Sequence, residues 1–99
     1  MIEVNRYDNR ITISGHANYA EPGKDIVCAG VSILVQTLIE SIEQLTPDPD
    51  IIKYVVSPGW VDIKHGTLLG GSATLVSSFF IGIKMIAADY PENVRLTEH

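Results

Sequence analysis

The sequence predicts an α+β domain built as a two-layer sandwich, with two helices packed on a small, mostly antiparallel sheet. Short stretches alternate apolar and polar residues as strands do, and two longer stretches repeat apolar residues as helices do. These stretches follow one another as strand, strand, helix, strand, strand, helix. Strands joined by short turns pair antiparallel, and helices with one apolar face are buried against a sheet.

The length of the chain indicates a single domain over residues 1–99. Its composition, with 45% hydrophobic and 19% charged residues, is ordinary for a folded protein. The one cysteine cannot form an intramolecular disulfide, which fits a reducing compartment. The first residues are charged from Glu3 onward and lack the apolar segment of a secretory signal. The uncharged stretch 66–83 is half Gly, Ser and Thr, which favours a buried helix over a membrane span. We therefore expect a cytoplasmic protein with no membrane partner.

The net charge of −5 indicates which kinds of molecule the protein is suited to bind. Phosphate binding needs clustered Lys and Arg, whereas the basic residues here are scattered, so we expect no direct nucleic-acid binding. An acidic surface favours basic partners through long-range attraction. His65 and His99 have no neighbours at metal-ligand spacing, so we expect no metal and no other cofactor.

The first two strands are predicted to form a hairpin. Ile2 and Val4 alternate with polar residues, and so do Ile11 and Ile13, so each strand has one apolar face. The segment 7–10 between them contains Asp and Asn, which tolerate the left-handed backbone of tight turns.

The first helix is predicted from Val27 to Leu45, because apolar residues recur at helical spacing throughout this segment. Asp25 stands just before it, where a carboxylate can accept the free N–H groups of the first turn. Pro47 and Pro49 cannot continue the helix and therefore mark its end.

A second hairpin and a second helix follow. Residues 51–56 are rich in β-formers, Ser57-Pro58-Gly59 is a turn signal, and residues 60–65 alternate again. Trp60 is predicted to pack in the core beside this turn rather than to wall a substrate groove, because large aromatic side chains mostly serve packing. The helix 68–90 is apolar over more than half of its circumference, which favours a core role combined with a dimer contact. Residues 94–96 are a candidate for a final edge strand.

The cysteine and a histidine stand on either side of a loop. Cys28 falls in the first turn of the first helix, where unpaired N–H groups and the helix dipole favour thiolate over thiol. His16 follows the second strand, and an imidazole beside the sulfur can form the ion pair of a Cys–His enzyme. The turn-rich loop between them can act as a lid over a site built on rigid elements.

The residue pattern alone leaves other roles open. A lone cysteine in an apolar helix is more often a small buried hydrophobe than a nucleophile. Asp25 can cap the helix without any catalytic role, and Ser32 can bond back to a helix carbonyl. A thiol-based redox sensor is disfavoured, because the chain has no second cysteine to resolve an oxidised one.

At these residues the sequence resembles the ribosomal-processing cysteine proteases of Firmicutes and related bacteria, the Prp family. The resemblance lies in Gly15-His16-Ala17 followed by Asp25-x-Val27-Cys28-Ala29-x-Val31-Ser32, and the element order and length are similar over essentially the whole chain. It implies a homodimeric cysteine endopeptidase that removes a short N-terminal extension from a precursor large-subunit ribosomal protein, the twenty-seventh in the standard numbering. The alternative is a non-enzymatic dimeric adaptor in ribosome assembly, with a structural cysteine.

The resemblance also implies roles for residues at the matching positions. Cys28 would be the nucleophile and His16 the general base and acid, with Asp25 and Ser32 in supporting roles. The backbone N–H groups of Cys28 or Ala29, near the helix start, are the expected oxyanion donors. The family's flexible lid loop corresponds here to Asn18, Tyr19, Ala20, Glu21, Pro22, Gly23 and Lys24.

Overall fold

In the computed structural model, which describes residues 1–99, the chain forms five strands and two long helices. The elements in chain order are β1 (Ile2–Tyr7), β2 (Arg10–Ser14), α1 (Ile26–Leu45), β3 (Ile52–Ser57), β4 (Trp60–His65), α2 (Gly70–Asp89) and β5 (Val94–Glu98), with one 3-10 turn (Pro49–Ile51) before β3. The predicted two-layer α+β architecture is confirmed, including both hairpins and the final edge strand.

The sheet has the strand order β3-β4-β2-β1-β5. Its first three pairs are antiparallel, and the pair β1–β5 is parallel. The parallel pair arises because α2 carries the chain back across the sheet, so that β5 runs in the same direction as β4 and β1. The sheet is therefore mixed but mostly antiparallel.

The core lies between the sheet and the two helices. Alternate strand residues such as Val4 and Ile13 are buried, and α1 contributes a buried stripe that includes Val31 and Ile42. From α2, Phe80 is 1% exposed and is among the largest fully buried side chains. Every buried polar side-chain atom has a hydrogen-bond partner, so no uncompensated polar group offsets the burial of apolar surface.

The two helices approach each other closely at two glycines. Gly30 of α1 leaves space for the side chain of Ile86, and Gly82 of α2 lies against Leu34. A β-carbon on Gly82 would lie 2.7 Å from Leu34 Cδ2, so a larger residue there would force the side chain of Leu34 to move.

By length and composition alone, both helices could span a membrane. Each nevertheless has a buried face in this fold, with Val35 and Leu38 in α1 and with Val76 and Phe79 in α2. The core role predicted for α2 is confirmed. The same helix leaves Ile81 and Met85 exposed by 61% and 64%, so it also carries apolar surface outside the core.

Candidate active site

Cys28 is the third residue of α1, and Asp25 is the N-cap of that helix. One carboxylate oxygen of Asp25, Oδ1, accepts hydrogen bonds from the backbone N–H of Val27 at 3.0 Å and from that of Cys28 at 2.9 Å. The predicted capping role of Asp25 is thus confirmed. The cap fixes the backbone of the turn that carries the cysteine.

The other carboxylate oxygen of Asp25 binds the loop that joins β2 to α1. Oδ2 accepts hydrogen bonds from the backbone N–H of Tyr19 at 3.0 Å and from that of Ala20 at 3.3 Å. The N–H of Cys28, together with those of Tyr19, Ala20 and Val27, lowers the pKa of Asp25 from its ordinary 3.8, because each donates to the ionised carboxylate and together they outweigh its partial desolvation. Asp25 therefore joins the helix start to the loop as an anion.

The sulfur of Cys28 is half-buried and accepts a hydrogen bond from the backbone. The N–H of Ala17 donates to Sγ at 3.2 Å, and Ala17 itself is only 1% exposed. This contact joins the sulfur to the backbone segment that follows His16.

His16 is held at the end of β2 by the turn between β3 and β4. Its neighbour Gly15 has a positive φ of 91° and donates its N–H to the carbonyl of Gly59 at 3.0 Å. The imidazole lies over Gly59, since a β-carbon built there would be 3.1 Å from His16 Nε2. Glycine at position 59 therefore leaves space for the histidine ring.

Cys28 and His16 line the same cavity, of about 260 Å³, between α1 and the β3–β4 hairpin. Its polar wall includes Ser32 and Gln36, which follow Cys28 along α1. Its apolar wall is formed by Ile2, Ile13, Val31, Val35, Val56, Trp60 and Val61. The structure thus brings together the predicted nucleophile, the predicted base and Ser32.

The prediction for Trp60 was wrong. The indole is 40% exposed and lines the cavity instead of packing in the core. Trp60 is the first residue of β4 and stands three positions before the buried Ile63, so it is out of phase with the core-facing side chain of that strand. The sequence also provided no reason to place Gln36 in this cavity, because a polar residue on a helix does not show which cavity it will line.

The N–H groups of Cys28 and Ala29, which were expected to donate to the oxyanion, already donate to other acceptors. The N–H of Cys28 donates to Asp25 Oδ1, and the N–H of Ala29 donates to the backbone carbonyl of Asp25 at 3.0 Å. Each N–H has one proton, so neither group is free in this structure. Both contacts belong to the first turn of α1, whose N–H groups need acceptors outside the helix or at its cap. The sequence pattern does not specify which N–H group donates to which oxygen of Asp25.

The loop 17–24 has two further contacts with the turn that joins α2 to β5. Tyr19 and Tyr90 pack edge to face, with ring centroids 5.3 Å apart. The side chain of Asn93 donates from Nδ2 to the carbonyl of Ala17 at 3.0 Å. The predicted lid segment is therefore held at its beginning by residues far away in the sequence.

Comparison with known proteins identifies the family. A family model described as cysteine protease Prp matches residues 1–95. The chain belongs to the Prp family of cysteine proteases. Membership makes it a cysteine peptidase and confirms the resemblance seen in the sequence.

Three relatives are named ribosomal processing cysteine protease Prp. The Staphylococcus aureus protein is 31% identical over 87 residues, which cover 87% of this chain and 82% of that protein. The Mycoplasma genitalium protein is 31% identical over 101 residues, covering 99% and 96%. The Bacillus subtilis protein is 28% identical over 90 residues, covering 86% and 80%.

Solved structures confirm the fold. The Staphylococcus aureus Prp protease with a covalently linked product peptide superposes with a TM-score of 0.82 at 22% identity, covering 99% of this chain and 97% of that one. A Streptococcus mutans protein superposes with a TM-score of 0.73 at 26% identity, covering 98% and 90%. The Prp fold therefore extends over the whole chain.

Proposed function

We propose that this chain is a single-domain endopeptidase that removes a short N-terminal extension from a precursor large-subunit ribosomal protein, the twenty-seventh in the standard numbering. Cys28 acts as the nucleophile and His16 as the general base and acid. The observation that carries the proposal is that these two side chains line one cavity at the start of α1, in a member of a cysteine protease family. The names of the relatives, which specify ribosomal processing, support the substrate class.

The reaction follows ordinary thiol-protease chemistry. His16 takes the thiol proton, and the thiolate of Cys28 attacks the scissile carbonyl carbon, forming an S–C bond. The C–N bond then breaks as the imidazolium of His16 donates its proton to the leaving amine. Water, deprotonated by His16, hydrolyses the thioester and regenerates the thiol.

We assign the oxyanion to the N–H of Ala17. The N–H groups of Cys28 and Ala29 already donate to Asp25, whereas the N–H of Ala17 lies 3.2 Å from the sulfur. As the S–C bond forms, the negative charge passes from the sulfur to the carbonyl oxygen, so this donor can turn from the sulfur to the oxygen on which charge develops. Asp25 supports the site by fixing both the helix start and the loop, and Ser32 faces the substrate from the cavity wall.

The cavity and the charge of the chain fit the proposed substrate. Val31, Val35, Val56 and Trp60 form apolar walls, which suit a hydrophobic or aromatic residue before the cleaved bond. The net charge of −5 favours a basic precursor and disfavours direct nucleic-acid binding. The lid 18–24 closes over the bound peptide, and the reaction takes place in the cytoplasm.

We also propose that the protein is a homodimer. The exposed apolar side chains of Ile81 and Met85 on α2 are suited to a contact with a second copy. Light scattering after size exclusion is expected to give twice the chain mass of 10.8 kDa; a mass of one chain at micromolar concentration contradicts this.

The decisive experiment mixes the purified protein with the precursor ribosomal protein and follows the loss of its extension by mass spectrometry. Cys28→Ser is expected to abolish cleavage, and His16→Ala to slow it by about 10²- to 10⁴-fold, the usual contribution of a general acid–base group. His65→Ala is the matched control, because its imidazole bonds to the carbonyl of Gly66 and does not line the cavity. Cleavage at the normal rate by Cys28→Ser or His16→Ala would overturn the mechanism.

A further inference from the structure

The hydrogen bond to the Cys28 sulfur comes from a part of the chain that bends sharply. Ala17 donates its N–H to Sγ, and the next residue, Asn18, has a positive φ of 55°. Residues with a β-carbon disfavour this left-handed conformation, although asparagine tolerates it better than most. The bend therefore requires contacts that hold it in place.

Asn93 supplies such a contact from the opposite end of the sequence. Its Nδ2 donates to the carbonyl oxygen of Ala17, which belongs to the peptide group that links Ala17 to Asn18. The two peptide groups that flank Ala17 are thus both fixed: one donates to the sulfur, and the other accepts from Asn93. Rotation of either peptide group would disturb the other, because they share the α-carbon of a buried residue.

Asn93 is itself anchored on rigid elements. Its backbone carbonyl accepts the N–H of Ile2 at 2.8 Å, and its N–H donates to the carbonyl of Tyr90 at 3.0 Å. These bonds join it to the start of β1 and to the end of α2, and β5 begins at the next residue. Its amide group is therefore held independently of the loop that it contacts.

We propose that Asn93 is a positioning residue for the peptidase centre. It holds the Ala17 peptide so that the N–H of Ala17 points at the sulfur of Cys28, and it fixes the backbone that follows His16. Asn93 does not line the cavity, so it acts on the reacting group through Ala17 and not on the bound peptide. This inference rests on the proposed catalytic role of Cys28.

The consequence is a change in reactivity with little change in substrate binding. Without the amide of Asn93, the Ala17–Asn18 peptide can rotate while Asp25 still holds Tyr19 and Ala20. The N–H of Ala17 then leaves the sulfur, and the thiolate loses a charge-assisted hydrogen bond. Loss of such a bond corresponds to a fall in reactivity of about tenfold.

The test compares Asn93→Ala and the isosteric Asn93→Asp, which cannot donate when ionised, with Glu92→Ala in the same turn. The probe is iodoacetamide: the rate of Cys28 alkylation is measured at pH 7 by mass spectrometry, below the thermal transition of each variant. Both Asn93 variants are expected to react about tenfold more slowly than Glu92→Ala. In precursor cleavage, kcat is expected to fall by a similar factor while KM stays within about twofold.

Alkylation of folded Asn93→Asp at the rate of Glu92→Ala would overturn the inference, as would a rise in KM with kcat unchanged. A purely structural role would lower the unfolding temperature without changing the alkylation rate of the folded protein. Alkylation needs no ribosomal substrate, so failure of the wild-type protein to cleave the precursor would count against the proposed function alone.

Discussion

The contact between Gly59 and the imidazole of His16 leads to a prediction for Gly59→Ala. Gly59 has a φ of +73°, and an added β-carbon would lie 3.1 Å from His16 Nε2. The substitution therefore has two effects, one on the backbone and one on the ring. Gly70→Ala separates them, because Gly70 has a φ of +57° and nothing within 4 Å of the added carbon.

Both magnitudes can be worked out from the geometry. A left-handed alanine costs about 1–2 kcal/mol, so both variants should unfold several degrees below the wild type, at about 4–8 °C per kcal/mol. Non-bonded contacts are optimal at about 3.5–4.0 Å, so the ring in Gly59→Ala must move by about 0.4–0.9 Å from its separation of 3.1 Å. A displacement of 1 Å costs about 10²-fold in rate, so this shift should lower kcat/KM by about six- to sixtyfold.

The assay measures thermal unfolding by circular dichroism and kcat/KM for precursor cleavage at a temperature where both variants are folded. We expect similar losses of stability and a loss of activity confined to Gly59→Ala. Equal kcat/KM values for the two variants would refute the claim that the imidazole works in the position seen here.

Three further predictions concern the cavity, the helix cap and the core. Trp60→Ala should raise KM by about tenfold through lost apolar contact, whereas Tyr54→Ala, outside the cavity, should not; equal KM values in the two variants would place the substrate elsewhere. Because the Cys28 N–H and three others hold the pKa of Asp25 below 3.8, its carboxylate stabilises the fold above about pH 3.8, and this contribution is lost as the pH falls through the lower folded pKa. Urea unfolding of Asp25→Asn should therefore depend less on pH below 4 than that of the wild type, and parallel curves would contradict this. Phe80→Ala should lower the free energy of unfolding by about 3–5 kcal/mol, and a loss below about 1 kcal/mol would mean that the core repacks around the cavity.

Most of the fold could be predicted because its signals are local. The strand alternation around Val4 and Ile13, the turn at Pro58-Gly59 and the cap at Asp25 each lie within a few residues of the element they specify. The direction of β5 could not be predicted in this way, since it depends on how far α2 carries the chain across the sheet.

The motif predicted that Cys28 and His16 would belong to one site, and both line one cavity, but the surroundings of the two residues could not be predicted. That Trp60 lines the cavity depends on how the β3–β4 hairpin faces α1, and Asn93 reaches Ala17 from 76 residues away. The cap of α1 engages the N–H of Cys28, one of the two expected oxyanion donors, and only the folded geometry reveals this contact. Long-range contacts of this kind leave no periodic trace in a sequence.

The pairing of β1 with β5 has a consequence for biosynthesis. One edge of β1 pairs with the neighbouring β2, but its other edge finds its partner only in residues 94–98. The complete sheet and the Asn93 contact therefore cannot form before β5 is made, and such long-range pairing is slow because the loop-closure entropy comes first. The contacts that Asn93 makes with Ala17 and with Ile2 should thus form only after the last strand has been made.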